Sequence, residues 1–263
     1  MTLHLVTGAS RGLGLALAAA LLRDGHEVAA AARGERPAEL AAIHGGRLFW
    51  SRLDLSDLTA ARDWARDAVS ARSRPEPVTL ILNAGMVEPL VPVSGLRPDA
   101  LDHHLRLNLS SPMMVTAGVL EGLGSRSAAP IPVPCRILAI SSGAARYGVP
   151  HWSAYCAAKA GLDNFVRAVN AEADPANGGA GTVRAVSLAP GVIDTAMQAV
   201  IRDTPAPKRD RFLQLHRDGG LASPDTAAAA ILAYLRRGDF GEREIDDLRD
   251  AANRPVRSVP SDP

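Results

Sequence analysis

Short apolar runs alternate along this chain with longer segments whose apolar residues recur at helical spacing. Leu3-His4-Leu5-Val6 predicts a first strand, and the Ala/Leu-rich segment through about Arg23 a first helix. Asp24-Gly25-His26 reads as a turn and Glu27 to Ala32 as a second strand. Arg47 to Leu53 and Val78 to Leu82 predict strands three and four, with a helix starting near Asp57 between them. Residues 98–123 predict one long helix, and Gly124 to Pro134, with its three prolines, a surface loop. The run Arg136-Ile137-Leu138-Ala139-Ile140 predicts a buried fifth strand, followed by a helix over about 152–173. A flexible turn from Asp174 to Gly181 leads to a sixth strand over Thr182 to Leu188. Residues 195–222 mix Met197, Val200, Ile201, Phe212, Leu213 and Leu215 with many charges, and Ser223-Pro224-Asp225 caps a last Ala-rich helix to about Arg237. Gly241 to Asp247 is charged and reads poorly as a strand, and the chain from about Ala251 reads as a mobile tail. Such alternation predicts an α/β chain on a parallel sheet. We expect one domain over residues 1–250, a lid inserted over 194–222, and a flexible tail over 251–263.

Composition narrows the classes. At 263 residues and 47% hydrophobic content, a full core is available. With 29 basic and 28 acidic residues and no basic face, a nucleic-acid partner has no electrostatic support. Cys135 and Cys156 have no metal or redox spacing, so no metal is expected and a reducing cytoplasm is the simplest compartment. No signal peptide is read at Met1-Thr2-Leu3-His4, and no apolar run reaches about 18 residues, so no membrane span is expected.

The candidate chemistry lies at predicted strand ends. After the first strand, Thr7-Gly8-Ala9-Ser10-Arg11-Gly12-Leu13-Gly14 leads into a helix. Glycines at such a turn let a pyrophosphate approach the backbone at a helix N-terminus. The second strand ends at Ala32-Arg33, without the carboxylate that would bind a ribose 2′-hydroxyl. Arg33 and Arg11 can instead flank a 2′-phosphate, which favours NADPH; otherwise they are solvated arginines. Asp54-Leu55 ends the third strand, where Asp54 either accepts from an adenine amino group or caps the next helix. Asn83-Ala84-Gly85 ends the fourth and suits a backbone pressed against a ribose or ring, or an ordinary turn. Ser142 ends the fifth strand, while Ser141 points to its other side by alternation. Tyr155 and Lys159 are four apart and share one helix face. An ammonium beside a phenol favours the phenolate, which would lower the Tyr155 pKa and make it a usable acid–base. Asn108 lies mid-helix, where Asn is mildly unfavourable and can simply be solvated. Pro190-Gly191-Val192 follows the sixth strand.

Together these motifs resemble the short-chain dehydrogenase/reductase family. Thr-Gly-x-x-x-Gly-x-Gly at 7–14, Asn-Ala-Gly at 83–85, Asn108, Ser142, Tyr155-x-x-x-Lys159 and Pro190-Gly191 fall in family order over roughly residues 2–195. The resemblance implies a Rossmann-type doubly wound sheet of about seven parallel strands with helices on both faces. It implies a catalytic tetrad of Asn108, Ser142, Tyr155 and Lys159, in which Tyr155 protonates the substrate oxygen and Ser142 orients it. Lys159 binds the nicotinamide ribose, and Asn108 holds a water that relays protons to it. The implied NADP(H) site comprises Gly8, Ser10, Arg11, Gly12, Leu13, Gly14, Arg33, Asp54, Leu55, Asn83, Ala84, Gly85, Tyr155, Lys159, Pro190, Gly191, Val192 and Thr195. Residues 152–160 and 190–198 are most similar to the branch of sepiapterin and benzil reductases, which reduce ketones and vicinal dicarbonyls with NADPH. The helices over 98–123 and 152–173 resemble those that pair in relatives, so a homodimer or homotetramer is expected.

The reading is an NADPH-dependent carbonyl reductase for an uncharged ketone or diketone. Its pocket would be lined by Met86, Val149, Trp152, Val192, Met197 and lid side chains, with Ser142 contacting substrate and His151 beside it. A dedicated biosynthetic enzyme of the same family, acting on one pathway intermediate, is the alternative. A non-catalytic NADP-binding regulator is a third reading.

Overall fold

The computed structural model describes residues 2–43, 47–71, 77–124, 134–177, 179 and 181–254. Its seven strands are β1 Leu3–Thr7, β2 Glu27–Ala32, β3 Leu48–Arg52, β4 Val78–Leu82, β5 Cys135–Ile140, β6 Val183–Ala189 and β7 Ile245–Asp247. They form one sheet in the order β3-β2-β1-β4-β5-β6-β7, and every pairing is parallel. The order reverses direction between β1 and β4, and ligands of such sheets bind outside the strand carboxyl ends at that point.

Ten α-helices accompany the strands among the described residues: α1 Gly12–Arg23, α2 Ala38–Ala42, α3 Leu58–Ser70, α4 Pro98–Leu105, α5 Ser111–Gly124, α6 Ser153–Ala173, α7 Ala196–Asp203, α8 Arg209–Arg217, α9 Pro224–Leu235 and α10 Leu248–Ala251. Period-two alternation divides each inner strand between two cores. Val6, Ile81, Leu138 and Val186 meet α1 and α9 on one face. Leu5, Leu80, Ile137 and Ala185 meet α3, α5 and α6 on the other.

The expected long helix over 98–123 is interrupted. A wide π-helical turn, Arg106–Ser110, separates α4 from α5. Pro112 has no N–H, so it cannot close the ordinary helical bond to the Asn108 carbonyl. Asn108 is consequently not a solvated mid-helix residue; it is fully buried.

The charged segment over 241–247 does supply the last strand. Asp246 and Asp247 are buried there because each carboxylate has partners. Tyr234 Oη donates to Asp246 at 2.9 Å, Arg254 pairs with it, and Arg249 grips Asp247 through Nε at 2.9 Å and Nη2 at 2.7 Å. Ala251 is buried and Arg254 packs back on Asp246, so the first residues of the expected tail are docked. Residues 255–263 lie outside the described residues, as do 125–133 of the expected proline-rich loop and Gly178 and Ala180 of the expected turn.

Residues 194–222 form a helix pair, α7 and α8, whose base is tied together. Ala222 N donates to Val192 O at 3.0 Å, and Asp194 N to Ala222 O at 2.9 Å. No described helix is long and apolar enough to cross a membrane.

Candidate active site

A cleft of about 620 Å³ runs along the carboxyl edge of the sheet. Its floor begins at the turn between β1 and α1. Arg11 is the N-cap of α1 and no side chain caps that helix, so its first-turn N–H groups face the cleft without a side-chain acceptor. Gly14 has no alternative there: a Cβ would lie 2.2 Å from the Gly8 carbonyl oxygen. A floor of free N–H groups without side chains fits the pyrophosphate of a dinucleotide. Gly8, Ser10, Arg11, Gly12, Leu13 and Gly14 all line this end.

Ala32, Arg33 and Gly34 line it at the tip of β2, with Asp54 and Leu55 beyond β3. Glu35, in the same loop, is held by Arg52 at 2.7 Å. Asp54 does not cap α3; Asp57 does, accepting from Ala60 N at 3.0 Å. Asp54 instead accepts from the Ser56 backbone N–H and hydroxyl at 2.9 and 2.8 Å. The Ser56 backbone bond is the main cause that holds its carboxyl below the usual range.

Asn83, Ala84 and Gly85 line the floor after β4. The Asn83 side-chain amide is engaged within the protein, donating to Thr7 O at 3.0 Å and Gly8 O at 3.3 Å. Thr7 Oγ1 in turn accepts from the backbone N–H groups of Asn83 and Ala84 at 2.9 and 3.1 Å. These bonds stitch β1 to β4 at the switch point and hold the glycine turn in place.

Ser142, Tyr155 and Lys159 converge on the opposite wall, and all three line the cleft. Ser142 Oγ accepts from Ala144 N at 3.2 Å, and its hydroxyl favours the ionised form of the neighbouring Tyr155 phenol. Ser141, as alternation predicts, turns away: Ser141 and Ser187 both donate to Asp163 Oδ1 at 2.6 Å. Lys159 Nζ donates to the Ile140 carbonyl at 2.8 Å and sits 5.7 Å from the Tyr155 ring centroid. Burial pushes Lys159 down to about 8, opposed by Asp163 one turn along α6. Burial likewise pushes Tyr155 up to about 12, opposed by the Ser142 bond. The expected lowering of Tyr155 by Lys159 is therefore absent here. Desolvation sets the direction, and Nζ donates to a carbonyl rather than to the phenol.

Asn108 does not line the cleft. It stands behind Gly85, where an added Cβ would lie 2.7 Å from Asn108 Oδ1 and 3.9 Å from Lys159 Nζ. Its amide is fully engaged: Oδ1 accepts from Met86 N at 3.1 Å and Nδ2 donates to Met86 O at 3.0 Å. Met86 is held in this way rather than lining the pocket as expected; Val87 lines it instead. His104, which the motif search passed over, lies one turn before Asn108 and is fully buried against it, with Nε2 3.2 Å from Asn108 Nδ2. Its i, i+4 spacing to Asn108 is the sequence signal that finds it.

The remaining wall is apolar. Val149, Trp152, Val192 and Met197 line it as expected, and Pro190, Gly191 and Thr195 form its edge. Trp152 meets Tyr155 edge-on at 5.8 Å and stacks on Phe212 of α8 at 5.7 Å. His151, with φ 68, is not among the lining residues. Lys208, which precedes α8, and Arg211 within it also line the cleft, with Lys208 Nζ 5.2 Å above the Tyr147 ring.

A family model described as short chain dehydrogenase matches residues 2–206. Benzil reductase ((S)-benzoin forming) of Bacillus subtilis (strain 168) is 36% identical over 253 residues, covering 94% of this chain and 98% of the relative. Sepiapterin reductase of Meriones unguiculatus is 31% identical over 261 residues, covering 93% and 95%. Among solved structures, the KRED1-Pglu enzyme superposes with a TM-score of 0.74 at 28% identity, covering 92% of this chain and 99% of that one.

Proposed function

The chain belongs to the short-chain dehydrogenase family, and from that premise we propose that it is an NADPH-dependent reductase of ketones and vicinal dicarbonyls, with Tyr155 as proton donor. The observation that carries this reading is the convergence of Ser142, Tyr155 and Lys159 on one cleft, with Lys159 Nζ 5.7 Å from the Tyr155 ring centroid. When bound, the nicotinamide dinucleotide supplies a hydride to the carbonyl carbon. The uncapped start of α1 would hold its pyrophosphate, Lys159 its ribose, and Arg33 with Arg11 the 2′-phosphate.

The chain's own residues handle the oxygen. Ser142 Oγ donates to the carbonyl oxygen and aims it at Tyr155. Burial keeps Tyr155 protonated at neutral pH, so the proton is present to be given. As the carbonyl becomes a hydroxyl, Tyr155 releases that proton, and the phenolate left behind is stabilised by the Lys159 ammonium and the Ser142 hydroxyl. The phenolate is reprotonated through Lys159 and a water held at Asn108, whose carbonyl lacks its ordinary helical donor because residue 112 is proline. Residues 194–222 act as the lid, closing Met197 and Phe212 over an apolar substrate and excluding water.

The test is oxidation of NADPH and NADH by the purified protein with benzil, a simple quinone and a pterin-like diketone. Turnover of a dicarbonyl with NADPH is expected. Tight NADPH binding with no turnover of any of these substrates would instead favour a dedicated pathway enzyme. Lys208 and Arg211 in the cleft lining support that second reading, since they suit an anionic substrate.

A pH dependence follows from Lys159. Its charge is needed while the phenolate exists, so reduction should be flat below about pH 8 and fall roughly tenfold per unit above it. A kcat profile over roughly pH 6 to 10 reads this, and a rate that climbs through pH 8 would overturn the role given to Lys159. The sign for stability is opposite. Between about 8 and the ordinary 10.5 the unfolded chain binds the extra proton, so folding gains as pH rises.

A further inference from the structure

We propose that His104 is a positioning residue for this reaction, acting through Asn108: as the neutral imidazole with its proton on Nδ1, it offers Nε2 as a fixed acceptor for the Asn108 amide. The proposal rests on the carbonyl-reductase reading of the site. A carbonyl oxygen only accepts, and Glu88 O lies 2.5 Å from His104 Nδ1, so Nδ1 must carry the proton. Nε2 is then bare in the neutral ring, and it faces Asn108 Nδ2 at 3.2 Å. Nδ2 has two hydrogens: one goes to Met86 O at 3.0 Å, the other to His104, whose own carbonyl is also 3.2 Å away. With Oδ1 on Met86 N, the amide has one allowed orientation.

That orientation matters because of what surrounds it. The amide packs against Gly85, where an added Cβ would lie 2.7 Å from Oδ1 and 3.9 Å from Lys159 Nζ, and Asn108 sits within the π-helical turn Arg106–Ser110, just before Pro112. The His104 ring also meets the Tyr155 ring edge-on at 6.1 Å. The charged or titratable groups facing His104 are Lys159 and Tyr155 on α6 and His103 on its own helix. Burial is the main cause holding His104 below its ordinary pKa, opposed by the Glu88 bond and reinforced by Lys159 and His103. A bland buried histidine would need only the Glu88 bond; the second, directed at Asn108, is what points to positioning.

Two conservative substitutions separate the bonds. His104→Asn places an amide N–H where Nδ1 was and keeps the Glu88 bond, but has no acceptor at Nε2. His104→Gln places a carbonyl where Nε2 was and keeps the Asn108 bond, but loses Glu88. We expect His104→Asn to lower kcat about tenfold or more with KM for ketone and the NADPH Kd within about twofold, and His104→Gln to recover most of that loss. Thermal unfolding and NADPH fluorescence on the same samples monitor folding. Losses equal in the two variants, or larger in His104→Gln and tracking the thermal midpoint, would overturn the proposal, because they would mark the Glu88 bond as the one that counts.

A second readout needs no turnover. Nitrogen NMR of labelled wild-type protein should show His104 protonated on Nδ1 only, and slow exchange of the Asn108 side-chain amide in wild type and His104→Gln but not in His104→Asn. A proton on Nε2 would overturn the assignment. Wild-type protein inactive on every ketone but with this NMR pattern would sink the reductase reading and leave the His104–Asn108 lock standing.

Discussion

Tyr155→Phe is expected to lower carbonyl reduction by roughly a thousandfold while NADPH binds almost unchanged. The substitution removes one buried hydroxyl and keeps the ring. The edge contacts to Trp152 at 5.8 Å and His104 at 6.1 Å therefore survive, as does the packing around Val149 and Ile201. What disappears is the acid. Ser142 can still orient a carbonyl oxygen, but an alcohol of ordinary acidity is a poor proton donor at neutral pH. Lys159 Nζ, anchored to the Ile140 carbonyl, lies 5.7 Å from the ring centroid rather than at the hydroxyl position, so it does not stand in for the phenol. The loss should fall on kcat rather than KM, because proton donation belongs to the transition state. Single-turnover reduction of benzil alongside NADPH fluorescence titration measures both. Comparable turnover by the Phe variant would remove Tyr155 from the mechanism.

Arg33→Ala should cost about a hundredfold in kcat/KM for NADPH and less than about threefold for NADH. Arg33 is exposed at the tip of β2, so its removal leaves the core intact and the effect can be read as binding. The tip offers no carboxylate in its place: β2 ends in alanine, and Glu35 is engaged by Arg52 at 2.7 Å. Only NADPH carries a 2′-phosphate, and a charge-assisted bond to it has no counterpart in NADH. The wild-type KM for NADPH should also rise with ionic strength more steeply than that of the variant, since screening acts on the lost charge pair. A cofactor preference unchanged by the substitution would return the chain to NADH or to a different phosphate clamp.

Local patterns carried much of this. Strands β1, β2, β4 and β5 are apolar runs bounded by turn residues, and such runs are legible because burial on both faces of a parallel sheet demands them. The glycine turn and the Tyr155/Lys159 pair are legible because their meaning depends on spacing along a single element. The Ser223 cap is equally local, accepting from Thr226 N at 3.1 Å. What local signals leave out, distant partners decide. The charged end of the sheet becomes β7 because Tyr234, Arg249 and Arg254 reach Asp246 and Asp247. Asn83 braces the glycine turn because β4 lies beside β1, which no local signal states.

The sequence by itself determined the fold class, the order of the motifs and the strand-end residues that line the cleft, because periodicity, turn chemistry and helical spacing are properties of neighbouring residues. Tertiary structure alone decided the burial of Asn108, its engagement by His104 and Met86, and the direction in which Tyr155 and Lys159 titrate. Hydrogen-bond satisfaction and desolvation depend on everything packed around a group. They are set only when β4, the π-helical turn and α6 come together.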